Sequence, residues 1–339
     1  MEFWKLFVVA LMPVLKVLLI TALGTFLSLD RFDILKETAS KNLNTIVFFV
    51  FSPALVCSSL AETITSRSII TLWFMPLNVL LTFIIGAALG WLLVKLIKVP
   101  YHLQGLALGC CAAGNLGNLP LIIVPAVCKQ KGNPFGDLDI CHRNGLAYAS
   151  LSMAVPKKER IVKQLKVLAE KINLKVLFAP STIGAIVGLI IGVVPIFRKL
   201  LIVDNAVLGV LQDSIVMVGD AGIPAMTLLV GANLLKGLKG LGKQFPLIVG
   251  IIVVRFILLP VIGIGIVKGA IHIGLIHPDP LYQFLLLLQF ALPPAVAMST
   301  ITQLFGASEG ECSVIMLATY SCAAFSLTLW STFFMWLVL

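Results

Sequence analysis

The stretch that most constrains this chain is Ala113-Gly114-Asn115-Leu116-Gly117-Asn118-Leu119-Pro120, followed by Pro125, inside an otherwise apolar run at about 103–127. A run of that length reads as a membrane span, yet its glycines, asparagines and prolines contradict a plain helix. Proline removes a backbone donor and clashes with the turn before it. In lipid, each freed backbone group is costly unless protein or a wet cavity satisfies it. A helix broken at mid-membrane depth, with half-helix ends turned on the cargo, is the solution secondary transporters use. A proline kink that serves packing alone is the competing account. It gives no purpose to the polar cost of the asparagines.

Composition sets the class. The chain is 59% hydrophobic and 12% charged, with a mean hydropathy of +1.07, whereas a soluble domain carries about 25% charged residues. The net charge of +10 suggests nucleic acid, but the basic residues sit in loops between apolar runs, which is the positive-inside pattern of a membrane protein. No nucleic-acid partner is expected. Seven cysteines form no CxxC pair and no metal spacing with the four histidines, so neither metal nor cofactor is expected. No HExxH or P-loop block is present, which argues against an ATP-driven pump, and no enzyme is expected. The apolar run 3–29 is too long for a signal-peptide core and reads as the first span.

Judged against roughly 20 residues per span, ten hydrophobic segments stand at about 5–29, 43–61, 69–97, 103–127, 143–155, 174–195, 206–235, 245–270, 281–305 and 312–338. The fifth is anomalous, because only 11 residues, 145–155, precede Pro156-Lys157-Lys158-Glu159-Arg160. Either part of this span is lost from this polypeptide or it is re-entrant. The full length of its counterpart near the C-terminus favours loss. The basic stretch 157–175 carries Ile161, Leu165, Leu168 and Ile172 at helical spacing. It reads as an amphipathic cytosolic helix on the membrane surface, with coiled-coil pairing as the other option.

The halves repeat. Pro224 lies 171 residues after Pro53, Pro246 170 after Pro76, Pro293 173 after Pro120 and Tyr320 172 after Tyr148. Four matches at nearly one offset predict a first repeat over 1–155, a linker over 156–175 and a second repeat over 176–339. An odd number of spans per repeat inverts the second copy in the membrane. With both termini outside the cytosol, cytosolic loops hold 15 lysines and arginines, the opposite side eight, and two lie within spans. That bias supports the orientation.

At this point a resemblance enters. The first span, the Asn44…Pro53 spacing, the block from Gly114 to Pro120, Cys128 to Gly136, Asn144 to Ser150 and Val218 to Gly222 resemble the PIN-LIKES carriers, relatives of the PIN-FORMED auxin efflux carriers of plants. The resemblance covers nearly the whole chain. It implies an all-α fold of about ten spans in a five-plus-five inverted repeat, with broken helices four and nine crossing. It also implies an auxin-type weak-acid cargo such as indole-3-acetic acid, moved between cytosol and endoplasmic reticulum lumen by alternating, elevator-like access. The protein would then sit in the endoplasmic reticulum membrane with both termini lumenal. The short fifth span departs from that pattern.

The candidate site follows from the breaks. The ninth segment carries Gln289-Phe290-Ala291-Leu292-Pro293-Pro294-Ala295-Val296, and its double proline breaks it too. Amino-terminal half-helix ends carry partial positive charge and free N–H donors, which hold a carboxylate without a formal cation. Asn118 and Asn115 offer amides and are the first ligand contacts expected. Capping of a half-helix is the alternative for Asn115. Pro120, Pro293 and Pro294 shape the breaks, while Ile122, Ile123 and Val296 offer an apolar slot for an aromatic ring. Asn44, Ser52 and Tyr148 are secondary candidates.

Three readings stay open at this stage. Asp220 and Arg255 both reach middle depth and pair as a structural brace, or Asp220 titrates alone as a proton carrier. Cys128 and Cys141 share the loop on the disulfide-permissive side and form a bond, or stay free. The competing functions are a non-transporting sensor or scaffold, and a sodium- or proton-coupled carrier of another organic anion. The oligomeric state is left open, a homodimer included.

Overall fold

The computed structural model describes residues 3–29, 31–32, 34–64, 72–116, 118–130, 132–153, 180–202, 206–237, 245–276, 278–295, 298, 302 and 309–339 of the chain. The regular structure among these residues is helical, with one isolated strand-like bridge. Five helices are long and apolar enough to cross a membrane: Trp4–Leu27, Thr38–Glu62, Phe74–Ile97, Phe245–His272 and Gly310–Val338. A sixth candidate is the pair Ile183–Val193 and Pro195–Leu201, bent by 97°. The other four apolar segments carry shorter helices. The linker at 156–175 lies outside the described residues.

Two of the spanning helices widen just before a proline. Helix α1 spans Phe3–Leu27. The second segment is α2 (Glu37–Ile46), a π-helical turn (Val47–Phe51) and α3 (Ser52–Thr63). The eighth is α12 (Phe245–Val253), a π-helical turn (Val254–Leu258) and α13 (Leu259–His272). Pro53 and Pro260 sit just after those turns. Each ring would collide with the carbonyl four residues back, Phe49 or Phe256, and the wider π turn makes room without ending the helix.

The third segment is the unbroken α4 (Phe74–Ile97), closed by Lys98 in the left-handed region at φ 55°. The fourth is split into α5 (Tyr101–Ala112) and α6 (Asn118–Cys128). Helix α7 (Leu138–Met153) follows. It starts earlier than the expected 143–155, because Asp137 accepts from the amides of Asp139 and Ile140 and so caps the helix. The sixth segment is α8 (Pro180–Val193) turning into α9 (Pro195–Leu201) at a proline in the first helical position. The seventh is α10 (Gly209–Asp220) and α11 (Gly222–Gly237), the ninth contributes α14 (Pro280–Leu288), and α15 (Glu309–Val338) closes the chain.

Glycine brings several helix pairs into backbone contact, among them α3 with α8 and α1 with α11. Gly184, Gly188 and Gly192 lie on one face of α8, four apart. A Cβ at Gly188 would stand 2.5 Å from the Cys57 carbonyl, and one at Gly192 2.6 Å from that of Ile64, so α8 rides directly on the backbone of α3. Likewise a Cβ at Gly231 of α11 would meet the carbonyl of Thr21 on α1, and Thr25 donates to the Gly231 carbonyl at 3.0 Å. Thus segment 1 lies on segment 7, and segment 6 on segment 2. Such close backbone approach is how helices associate where lipid offers no hydrophobic drive. By contrast α14 is largely apolar and buried from Leu281 to Leu288, Gln283 included, the pattern of a helix at the centre of a bundle.

Candidate functional site

The chain unwinds twice, and the two unwound stretches lie side by side. Helix α5 ends at Ala112, and Ala113 is extended at φ −87°, ψ 104°. Gly114 then bridges Pro294 in antiparallel fashion. The Asn115 amide donates to the Pro293 carbonyl and the Ala295 amide to the Ala113 carbonyl, each at 2.9 Å. The two breaks therefore satisfy each other's backbone, which removes the cost that unwinding carries in a membrane. The break falls before 118–120 and not within it. Asn118 already opens α6, and Pro120 lies in its first turn, where a missing N–H costs no helical bond.

Tyr320 of α15 ties the crossing together. Its hydroxyl accepts from Asn115 Nδ2 and donates to the Pro294 carbonyl, both at 2.9 Å. Next to it lies a cavity of about 80 Å³. Val14 and Leu18 of α1, Leu119 and Ile123 of α6 and Leu327 of α15 make its apolar walls, and Pro293 and Tyr320 bring the crossing to its edge. A cavity this small is well below the roughly 300–1,000 Å³ that encloses a drug-sized ligand.

Of the residues expected at the site, Asn115, Pro293 and Pro294 meet at the crossing. Pro120 is buried in α6. Ile122 is half-buried and its neighbour Ile123 faces the cavity instead. The side chain of Asn118 and all of Val296 lie outside the described residues. Asn44 and Ser52 stand on the second segment and do not line the cavity. Tyr148 is elsewhere too: its hydroxyl donates to Asp279 at 2.6 Å, and that carboxylate caps α14 through the Leu281 amide at 2.9 Å.

The expected brace between Asp220 and Arg255 is corrected. Asp220 is exposed at the end of α10, while Arg255 is fully buried. Its Nε donates to the Cys110 carbonyl at 2.8 Å, and its two terminal nitrogens have no hydrogen-bond partner among the described residues. Cys128 and Cys141 are joined by a disulfide with Cα atoms 5.5 Å apart. The bond clips α6 to the first turn of α7.

One buried constellation went unread in the sequence. Asn78 of α4 donates to the Gln289 side chain at 2.7 Å and to the Leu286 carbonyl at 3.1 Å, and all of Asn78 and Gln289 is buried. It pins the end of α14 just before the second break. A lone asparagine inside an apolar span is the signal that could have found it.

A multi-pass helical membrane protein with two unwound stretches paired beside an apolar cavity has the framework of a membrane transporter. The family described as membrane transport protein matches residues 9–158 and 156–331, and the chain belongs to it. Within that family it is one of the PIN-LIKES proteins. It is 49% identical to Protein PIN-LIKES 1 of Arabidopsis thaliana, over 100% of this chain and 81% of that protein. It is 48% identical to Protein PIN-LIKES 3 of the same plant over 98% of each, and 42% identical to Protein PIN-LIKES 4 over 100% of each. These alignments run over 383, 384 and 414 positions against 339 residues here, so the relatives carry segments this chain lacks.

Proposed function

We propose that this protein is a secondary carrier of auxin-type weak organic acids, with indole-3-acetic acid as the model cargo. It works in the endoplasmic reticulum membrane by alternating access, with both termini lumenal. The observation that carries this reading is the polar crossing of Asn115, Tyr320 and Pro294 at the edge of an apolar cavity. An aromatic acid needs both: a slot for the ring and donors for the carboxylate. The exchange of packing partners between segments 1 and 7 and segments 6 and 2 is what a five-plus-five inverted repeat would produce, and supports that repeat. The cavity has α1 on one side and α6 with α15 on the other. It thus falls between a glycine-locked pair and the broken helices, the seam along which an elevator motion would slide.

Uptake of labelled indole-3-acetic acid by proteoliposomes, with and without sodium and proton gradients, tests the reading. The carrier predicts saturable uptake above protein-free vesicles. A second reading, a non-transporting sensor or scaffold, is favoured by the residues this chain lacks relative to its relatives. It predicts binding without uptake. Uptake that appears only under an ion gradient would make the protein a coupled carrier.

A further inference from the structure

The crossing holds a buried cation whose terminal N–H donors have no acceptor among the described residues. Arg255 leaves the π-helical turn of the eighth segment and reaches the first break. Its Nε takes the Cys110 carbonyl at 2.8 Å, one of the last carbonyls of α5, which have no partner within their own helix. That bond fixes the plane of the guanidinium. The head then lies over Gly114: a Cβ built there would be 3.1 Å from Nη1 and 3.6 Å from Nη2. Any side chain at 114 would crowd it. Both terminal nitrogens are buried without an acceptor among the described residues, and the residue as a whole is 0% exposed.

A charge left in that state is strongly unfavourable. A brace for the α5 terminus would need only the Nε contact already made. The planar fork that remains is the geometry that takes a carboxylate through two parallel hydrogen bonds. It sits on the break that pairs with 293–295, the stretch whose Pro294 carbonyl binds Tyr320 beside the cavity.

From this we infer that Arg255 is the anion-recognising group of the crossing, receiving the carboxylate of the cargo on Nη1 and Nη2 when the crossing opens. The assignment rests on the weak-acid reading for the identity of the cargo, but not for the anion subsite itself. It differs from recognition by asparagines and half-helix dipoles alone, because it requires a formal negative charge on the ligand. Lysine should replace Arg255 poorly, since an ammonium lacks the fork.

The test is thermal unfolding of the purified full-length protein at fixed sodium chloride, titrated with sodium acetate, sodium indole-3-acetate or the uncharged indole-3-acetamide. Wild-type protein is expected to gain midpoint temperature with both carboxylates, and to prefer indole-3-acetate over its amide by at least about tenfold. Arg255→Gln, which keeps a donor for Cys110, should lose that preference, and Arg255→Lys should retain only part of it. An Arg255→Gln protein that still prefers acid over amide tenfold overturns the inference. So does a wild-type protein that no carboxylate stabilises. If Arg255→Gln does not fold, the acid-over-amide ratio of Arg255→Lys decides: a wild-type ratio in that variant overturns the proposal. Acetate binding through Arg255 with no gain from the indole ring would keep this inference and refute the auxin-type cargo.

Discussion

Asn115 and Tyr320 form the smallest unit of the account that mutation can isolate. Tyr320→Phe keeps the ring and deletes both bonds of its hydroxyl. It should weaken weak-acid binding by about 1–3 kcal/mol, the cost of leaving a buried polar partner unpaired, and titration calorimetry on folded protein reads it. Asn115→Ala should lose a similar amount, and an unchanged affinity in both would make the pair purely structural. Gly114→Ala crowds the Arg255 head and should cost about 1–3 kcal/mol of stability. Combining it with Arg255→Met should recover part of that loss in a double-mutant cycle. Asn115 was legible in the sequence, because an amide inside an apolar run demands a partner. Tyr320 was legible only as the repeat mate of Tyr148, and the two tyrosines have different partners. The depth of Arg255 could be counted along its helix. Its direction around the helix could not, and that direction separates it from Asp220.

At the scale of elements, prolines announced both breaks, but the first settles a few residues before Pro120, while the second contains Pro293 and Pro294. Proline is tolerated in the first turn of a helix, so α6 begins at Asn118 with Pro120 inside it. The π turns before Pro53 and Pro260 were not legible, because relief of a proline clash can take the form of a kink, an end or a widened turn. Glycine spacing on α8 predicts a sharp contrast. Gly188→Val drives a side chain into the Cys57 carbonyl and should lower the unfolding midpoint, at about 1–3 kcal/mol or more. Gly265→Ala in α13 meets nothing within 4 Å and should be neutral or stabilising by up to about 1 kcal/mol. Equal effects would mean that α8 does not ride on α3. The Cys128–Cys141 bond closes a short loop, and Cys128→Ser should cost about 2–4 kcal/mol. Alkylation of Cys128 in unreduced protein, read by mass spectrometry, would count against the bond.

At the scale of the whole molecule, the least regular backbone is the paired crossing of residues 113–115 and 293–295. Glycine contacts seat α8 on α3 and α11 on α1. The Asn78–Gln289 pin and the buried Arg255 lie beside the unwound stretches. A cavity of about 80 Å³ borders the crossing, smaller than the roughly 300–1,000 Å³ of a ligand pocket, and cargo binding is expected to widen it. The central claim is that cargo occupies this seam, and the most direct measurement is a cryo-electron density map of the protein saturated with indole-3-acetate. The account predicts ring density between α1, α6 and α15, with the carboxylate turned on the crossing at Gly114 and Pro294. Indole-3-acetate bound at any other place, with the seam still closed, would contradict it.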